Sequence, residues 1–209
     1  VVMSIKVLVI QNEESDPPGI VGDWLAHDGI ELDVVRAYAG QAVPTQVPDG
    51  YHGVMAFGGA MGATDDADHP WLADERDLLS DAVARDLPVF GVCLGGQLLA
   101  ASIGATVERS PVIEIGVSRV SITQDAADDD VFGHLAGSEV PAAQWHEDWI
   151  VGLPPSATVL AANDAAPVQA FRVASHAYGV QFHPEVDAPT FESWREVADE
   201  AAQRSGVDV

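Results

Sequence analysis

The chain has 209 residues, of which 33 are acidic and 9 basic, giving a formal net charge of −24. Such an excess repels nucleic acid and anionic membrane surfaces, so neither is expected as a partner. Apolar residues make up 47%, enough for a globular core, and no apolar run approaches the roughly 18 residues of a membrane-spanning helix. Acidic residues are spread along the chain, with residues 125–130 the densest cluster. That spread fits a solvated surface adapted to high salt better than a patch for a basic partner. Cys93 is the single cysteine, which excludes an internal disulfide and a Cys-rich metal site.

Residues 1–11 carry no basic leader with a cleavable site and read as a first strand, so a cytoplasmic protein is expected. Residues 5–10 (IKVLVI) are a short, β-branched apolar run that fits a buried strand. Residues 19–27 place Ile20, Trp24 and Leu25 at helical spacing, with Gly29 as the stop. Residues 31–38 read as a second strand, and residues 43–50, with Pro44 and Pro48, as a loop. Residues 53–57 form a third strand that runs into Gly58 and Gly59. Residues 69–85 are the clearest helix, with Pro70 in the first turn and Trp71, Leu72, Leu78, Leu79 and Val83 on one stripe. Residues 88–92 (PVFGV) are another buried strand, and residues 94–103 a helix stopped by Gly104. This alternation predicts a parallel sheet covered by helices.

The second half changes character. Residues 117–123, 158–162, 168–173 and 177–182 read as strands with short connections, which suggests antiparallel additions. Residues 125–130 fit a loop or a short helical start. Asp187 can cap a last helix with Phe191, Trp194, Val197 and Ala201 on one face. No repeat, low-complexity tract or long linker divides the chain, so residues 1–209 are expected to form one domain.

The segment P-V-F-G-V-C-L-G-G-Q-L-L, residues 88–99, carries the most chemistry. Cys93 sits between a buried strand and a helix, where the helix dipole and free amides favour a thiolate. Gly91 and Gly95 flank it and allow a sharp turn, as in a nucleophile elbow with Cys in place of Ser. A thiolate nucleophile needs a base and a group that orients it. His183 follows an apolar strand in Y-G-V-Q-F-H-P-E-V, and Glu185 lies two residues on, within reach of the imidazole. His27, His52, His69, His134 and His176 lack a companion motif and read as structural or surface residues.

G-V-C-L-G-G-Q and Q-F-H-P-E resemble the two motifs of class I glutamine amidotransferases, and their order along the chain matches. The resemblance implies a flavodoxin-like three-layer α/β fold with a mostly parallel central sheet. It implies Cys93, His183 and Glu185 as catalytic residues, with ammonia released through a γ-glutamyl thioester. The strand-end segment F-G-G-A-M-G, residues 57–62, is similar to the family's G-G-P loop, with Ala60 where proline is usual. The amides of Gly59 and Leu94 would then form the oxyanion hole, although a plain Gly-rich turn is the simpler reading of the residues alone. Gln97 and Met61 would line the glutamine pocket. Q-W-H-E-D-W, residues 144–149, resembles the family's H-x-D segment and adds Trp145, His146 and Asp148, the last suited to an α-ammonium. A metal site from His146, Glu147 and Asp148 is disfavoured, since neighbours in a strand point to opposite faces. No cofactor or metal is implied. Three functions remain: a glutaminase that feeds a synthase subunit, a γ-glutamyl peptide or amide hydrolase, and an inactive binding module.

Overall fold

A computed structural model describes residues 4–195. Nine strands form one sheet in the order β2-β1-β3-β4-β9-β8-β7-β5-β6. Strands β1 (Lys6–Gln11), β2 (Glu31–Arg36), β3 (Gly53–Ala56), β4 (Val89–Val92) and β9 (Ala177–Val180) run parallel. Strands β5 (Thr106–Ile122), β6 (Glu139–Val151), β7 (Ala157–Ala162) and β8 (Ala170–Val173) extend the sheet by antiparallel pairing. The fold is α/β with a mixed sheet, divided into a parallel and an antiparallel half.

The inner strands of the parallel half are largely buried, which is why they are mostly apolar, whereas β2 at the edge has no buried residue and carries Glu31, Asp33 and Arg36. Leu8, Ile10, Val54 and Ala56 face α2 (Trp71–Ala84) and α3 (Leu94–Ser102) in one core. Val9, Met55, Phe57 and Val92 face the other core, where Val21 and Leu25 of α1 (Gly19–His27) pack. Trp24, expected on the apolar stripe of α1, is instead 61% exposed. Glu75 falls on the inward stripe of α2 and is fully buried, and burial pushes its carboxyl up to about 8.

Two strands depart from the expectation. Strand β5 begins at Thr106, well before residue 117, and β6 was not foreseen at all. The β5–β6 ladder breaks between Arg109 and Glu114, where four residues of β5 oppose a single residue of β6. Pro111 lies in this bulge, so its missing N–H leaves no ladder bond unmade. The acidic cluster of residues 125–130 begins in a short 3₁₀ turn, Gln124–Ala126. There Asp129 accepts from the amides of Val131 and Phe132 and pairs with Arg172.

Residues 188–195 form helix α4. Asp187 caps it, its Oδ1 accepting the Thr190 amide at 2.9 Å. Val197 and Ala201 lie outside the described residues. No helix among the described residues is long and apolar enough to cross a membrane.

Candidate active site

Strands β1, β3, β4 and β9 end side by side, and the loops leaving them meet β6 and α4 around a cavity of about 340 Å³. A crevice at the carboxyl ends of parallel strands is where α/β sheets gather ligand chemistry. Cys93, Gly59, Met61, Gln97, Trp145, His146, Asp148 and His183 all line it. Leu94 and Glu185 stand behind that surface, 1% exposed each.

Cys93 joins β4 to α3 with φ 51° and ψ −110°. A positive φ on a side chain with a Cβ stores strain, of order 1–3 kcal/mol. The turn depends on its glycines. A Cβ on Gly95 would lie 2.1 Å from the Ala56 carbonyl oxygen, and one on Gly91 would lie 2.5 Å from that of Gly95. The Cys93 amide donates to Val180 O at 2.8 Å, which ties the elbow to β9. The Cys93 sulfur lies 3.7 Å from Gln181 Nε2, a donor, and 3.8 Å from the Trp145 carbonyl, an acceptor for the thiol.

His183 follows β9 directly and is held from several sides. Its amide donates to Ala143 O at 2.9 Å. Its Nδ1 is 2.7 Å from Glu185 Oε1, with both side chains almost wholly buried. The carbonyl of Glu185 accepts the Ile20 amide at 2.9 Å, and Gly19 has no Cβ because one would sit 2.1 Å from that oxygen. The N-terminus of α1 thus fixes the H-P-E turn. His183 Nε2 is buried and has no hydrogen-bond partner among the described residues.

Burial disfavours the His183 imidazolium, but the neighbouring Cys93 thiolate and then Glu185 outweigh it and hold the pKa well above the ordinary value.

The Gly-rich loop lies next to this pair. A Cβ on Gly59 would meet Leu94 Cδ2 at 3.1 Å, and one on Gly58 would meet His183 Cε1 at 3.4 Å. Neither the Gly59 nor the Leu94 N–H has an acceptor among the described residues. Two free amides therefore flank the nucleophile candidate.

Gln97 is only 3% exposed. Its Nε2 donates to Asp148 O at 3.3 Å and Gln181 Oε1 at 3.2 Å, so it braces β6 as well as facing the cavity. His146 turns its ring into the sheet, with Nδ1 3.0 Å from Asp148 O and Nε2 3.2 Å from Glu114. Asp148 Oδ1 is 3.7 Å from Arg109, which also pairs with Glu147. Trp145 packs edge-on against Phe191 and Trp194, and Trp194 against His183.

Sequence reasoning missed Glu13, Ser15, Asp16, Arg109 and the place of Trp194 in this wall. Asp16 has no motif, yet its carboxylate lies with His183 and Glu185 in one group whose ligand-type atoms fall within 4.8 Å. Burial pushes Asp16 up to about 6, Glu13 and Glu185 add to this, and His183 opposes it. Arg109 was hidden because its strand was not foreseen.

The class-I glutamine amidotransferase family model matches residues 22–193. The glutamine amidotransferase-like protein YfeJ of Salmonella typhimurium is 30% identical, over 96% of this chain and 86% of its own length. A subunit of the glutamine-hydrolyzing GMP synthase of Thermoplasma acidophilum is 31% identical over 75% of this chain and 74% of its own. Gamma-glutamyl peptidase 3 of Arabidopsis thaliana is 28% identical over 76% and 64%. A glutamine amidotransferase structure from Thermotoga maritima superposes with a TM-score of 0.85 and 29% identity, over 98% of this chain and 86% of its own. The chain belongs to the class I glutamine amidotransferase family.

Proposed function

We propose that the protein hydrolyses the side-chain amide of glutamine, with Cys93 as nucleophile, His183 as proton carrier and Glu185 as its orienter. The observation that carries this reading is the convergence of a strained Cys93 and a buried His183–Glu185 pair in one cavity. The Cys93 thiolate attacks the amide carbon, and the carbonyl electrons move to an oxyanion held by the Gly59 and Leu94 amides. Collapse of that intermediate breaks the C–N bond, and His183 gives its proton to the departing ammonia. Water, deprotonated by His183, then attacks the γ-glutamyl thioester, and glutamate leaves as the Cys93 thiolate and the His183 imidazolium re-form. Asp148 suits the α-ammonium of the substrate, and Arg109, whose guanidinium stands in the same wall, suits its α-carboxylate. Gln97, Met61, Trp145 and His146 shape the pocket around them. A cytoplasmic setting keeps such a thiol reduced.

Similarity to a subunit of a glutamine-hydrolyzing GMP synthase supports delivery of ammonia to a synthase partner. A second reading, hydrolysis of γ-glutamyl peptides or amides, rests on similarity to a gamma-glutamyl peptidase, and it needs the same glutamyl half-site. Intact-mass measurement after exposure to a glutamine-mimicking chloroketone tests both. A single adduct on Cys93, blocked by glutamine, supports the first reading. An adduct blocked by γ-glutamyl dipeptide but not glutamine supports the second. No adduct on the folded protein would sink both.

A further inference from the structure

We infer that Glu13 is a positioning residue for the oxyanion loop, by accepting the Ala60 amide; the inference rests on the function proposed above. Strands β1 and β3 pair in parallel with Ile10 opposite Ala56, so the two chains leave the sheet side by side. The Phe57 amide still donates to Ile10 O at 3.0 Å, and beyond it the ladder ends. Two consecutive side chains of the β1 exit then take over. Asn12 Nδ2 donates to the Phe57 carbonyl at 3.2 Å, and Glu13 Oε2 accepts the Ala60 amide at 2.7 Å. Gly58 and Gly59, the residues with the least intrinsic stiffness, lie between these two clamps.

The clamps are themselves anchored. Asn12 is fully buried and accepts from Trp71 Nε1 at 3.0 Å. It also donates to Glu75 Oε1 at 3.2 Å, so α2 holds it in register at two points one turn apart. The Glu13 carbonyl accepts from Gln11 Nε2 at 2.9 Å and from the Asp16 amide at 3.2 Å. Glu13 therefore projects from a pinned backbone, and its carboxylate reaches the loop across 47 positions of sequence.

Residue 60 explains why such a clamp is needed. A proline there would fix its own φ and carry no N–H. Alanine frees the backbone and supplies the donor that Glu13 takes. The carboxylate does from outside what a pyrrolidine ring would do from within, and its loss lets the Gly59 amide wander from the line of the developing oxyanion. Preorganised donors lose most of their effect when misaimed, since loss of one such donor lowers kcat by about 10²–10³.

The test compares wild type with Glu13→Ala, Glu13→Gln, Ala60→Pro and the Ala60→Pro/Glu13→Ala pair. Three readouts are taken: glutamine turnover, Cys93 alkylation by iodoacetamide, and Ala60 amide exchange by NMR. Glu13→Ala is expected to lower kcat by about tenfold or more with KM moving far less, and to speed Ala60 exchange. Cys93 alkylation, which needs no oxyanion hole, stays as in wild type. Glu13→Gln keeps a carbonyl acceptor and recovers most of the loss. In the Ala60→Pro background the donor is gone, so Glu13→Ala adds less than about twofold.

Unchanged kcat in Glu13→Ala, with or without faster exchange, overturns the inference, and so does a full effect in the Ala60→Pro background. Should Ala60→Pro fail to fold, the Ala and Gln variants of Glu13 decide. If wild type shows neither turnover nor alkylation, the proposed function falls. Ala60 exchange then still judges the clamp, and unchanged protection in Glu13→Ala removes it too.

Discussion

The protein buries two histidine–carboxylate pairs within reach of one cavity, and they spend their hydrogen bonds differently. In the first, His183 and Glu185 are two residues apart and joined at 2.7 Å, while His183 Nε2 and Glu185 Oε2 remain without partners among the described residues. In the second, His146 faces Glu114 across the β5–β6 ladder at 3.2 Å. Glu114 is fully engaged: Oε1 accepts from Asn163 at 2.7 Å and Ser118 at 3.1 Å, and Oε2 from Gln169 at 2.7 Å. One carboxylate serves its histidine, and the other serves the sheet. A buried His–acid pair is thus no mark of catalysis by itself. Among the described residues, buried ring nitrogens without a hydrogen-bond partner occur in both pairs, at His183 Nε2 and at His146 Nε2, so what separates the two in the proposed reaction is the Cys93 sulfur on the His183 side of the cavity.

The largest expected effect separates the pairs by rate. His183→Gln is expected to lower kcat by about 10²–10⁴, the usual worth of a positioned proton carrier. His146→Gln, which alters the pocket wall and its buried contacts to Glu114 and Asp148 O but not the proton carrier, is expected to lower it by no more than about tenfold. Equal losses in steady-state glutamine turnover would erase the distinction. Stability should divide them the other way. Glu114→Ala leaves the buried donor of Gln169 and the half-buried donors of Asn163 and Ser118 unanswered, a loss of about 3 kcal/mol by urea unfolding at pH 7. Glu185→Gln keeps an acceptor for His183, so its main effect falls on rate.

The same contrast explains what could be read from the sequence. Cys93, with Gly91 and Gly95, was legible because a strand-to-helix elbow leaves no room for other residues at those positions. His183 and Glu185 were legible because they are neighbours in the chain. Strand β6 was not, since Gln144 and His146, its inward residues, are polar and Trp145 faces outward to the cavity, which inverts the usual alternation. Glu75 lies on the apolar stripe of α2, but nothing local says that an acid there is buried rather than solvated. Asp16, Glu13 and Arg109 reach the cavity through loop paths and a bulge, and these follow from tertiary packing rather than from any spacing.

A finer division concerns pH. His183 titrates above its ordinary value in the folded state, so the stability it lends is complete below about 6.5 and is lost as pH rises through the folded pKa. Burial pushes Glu114 up, but His146, Asn163 and Ser118 together hold it below the usual carboxylate range. Its contribution is complete above about 4.5 and is lost as pH falls through the folded pKa. His183→Gln should flatten the alkaline side of a stability–pH curve, and Glu114→Gln the acid side. Curves that change on the same side would show that one network, not two, governs both.

The smallest effect belongs to Asp16, which touches the first pair without being part of it. Only 8% of the residue is exposed, and its carboxyl is pushed up to about 6. A raised carboxylate pKa lends stability below about 3.8 that is lost as pH rises through 6, so at pH 7 the charged form is a burden. Asp16→Asn should therefore stabilise the fold by about 2 kcal/mol at pH 7, a figure discounted for the solvent that reaches the side chain. The same charge supports the His183 imidazolium, so the variant should lower the pH at which Cys93 alkylation loses its ion-pair component, by less than about one unit. Stabilisation without that displacement would make Asp16 a strained bystander. Displacement in the opposite direction would overturn the idea that the Asp16 charge supports the imidazolium.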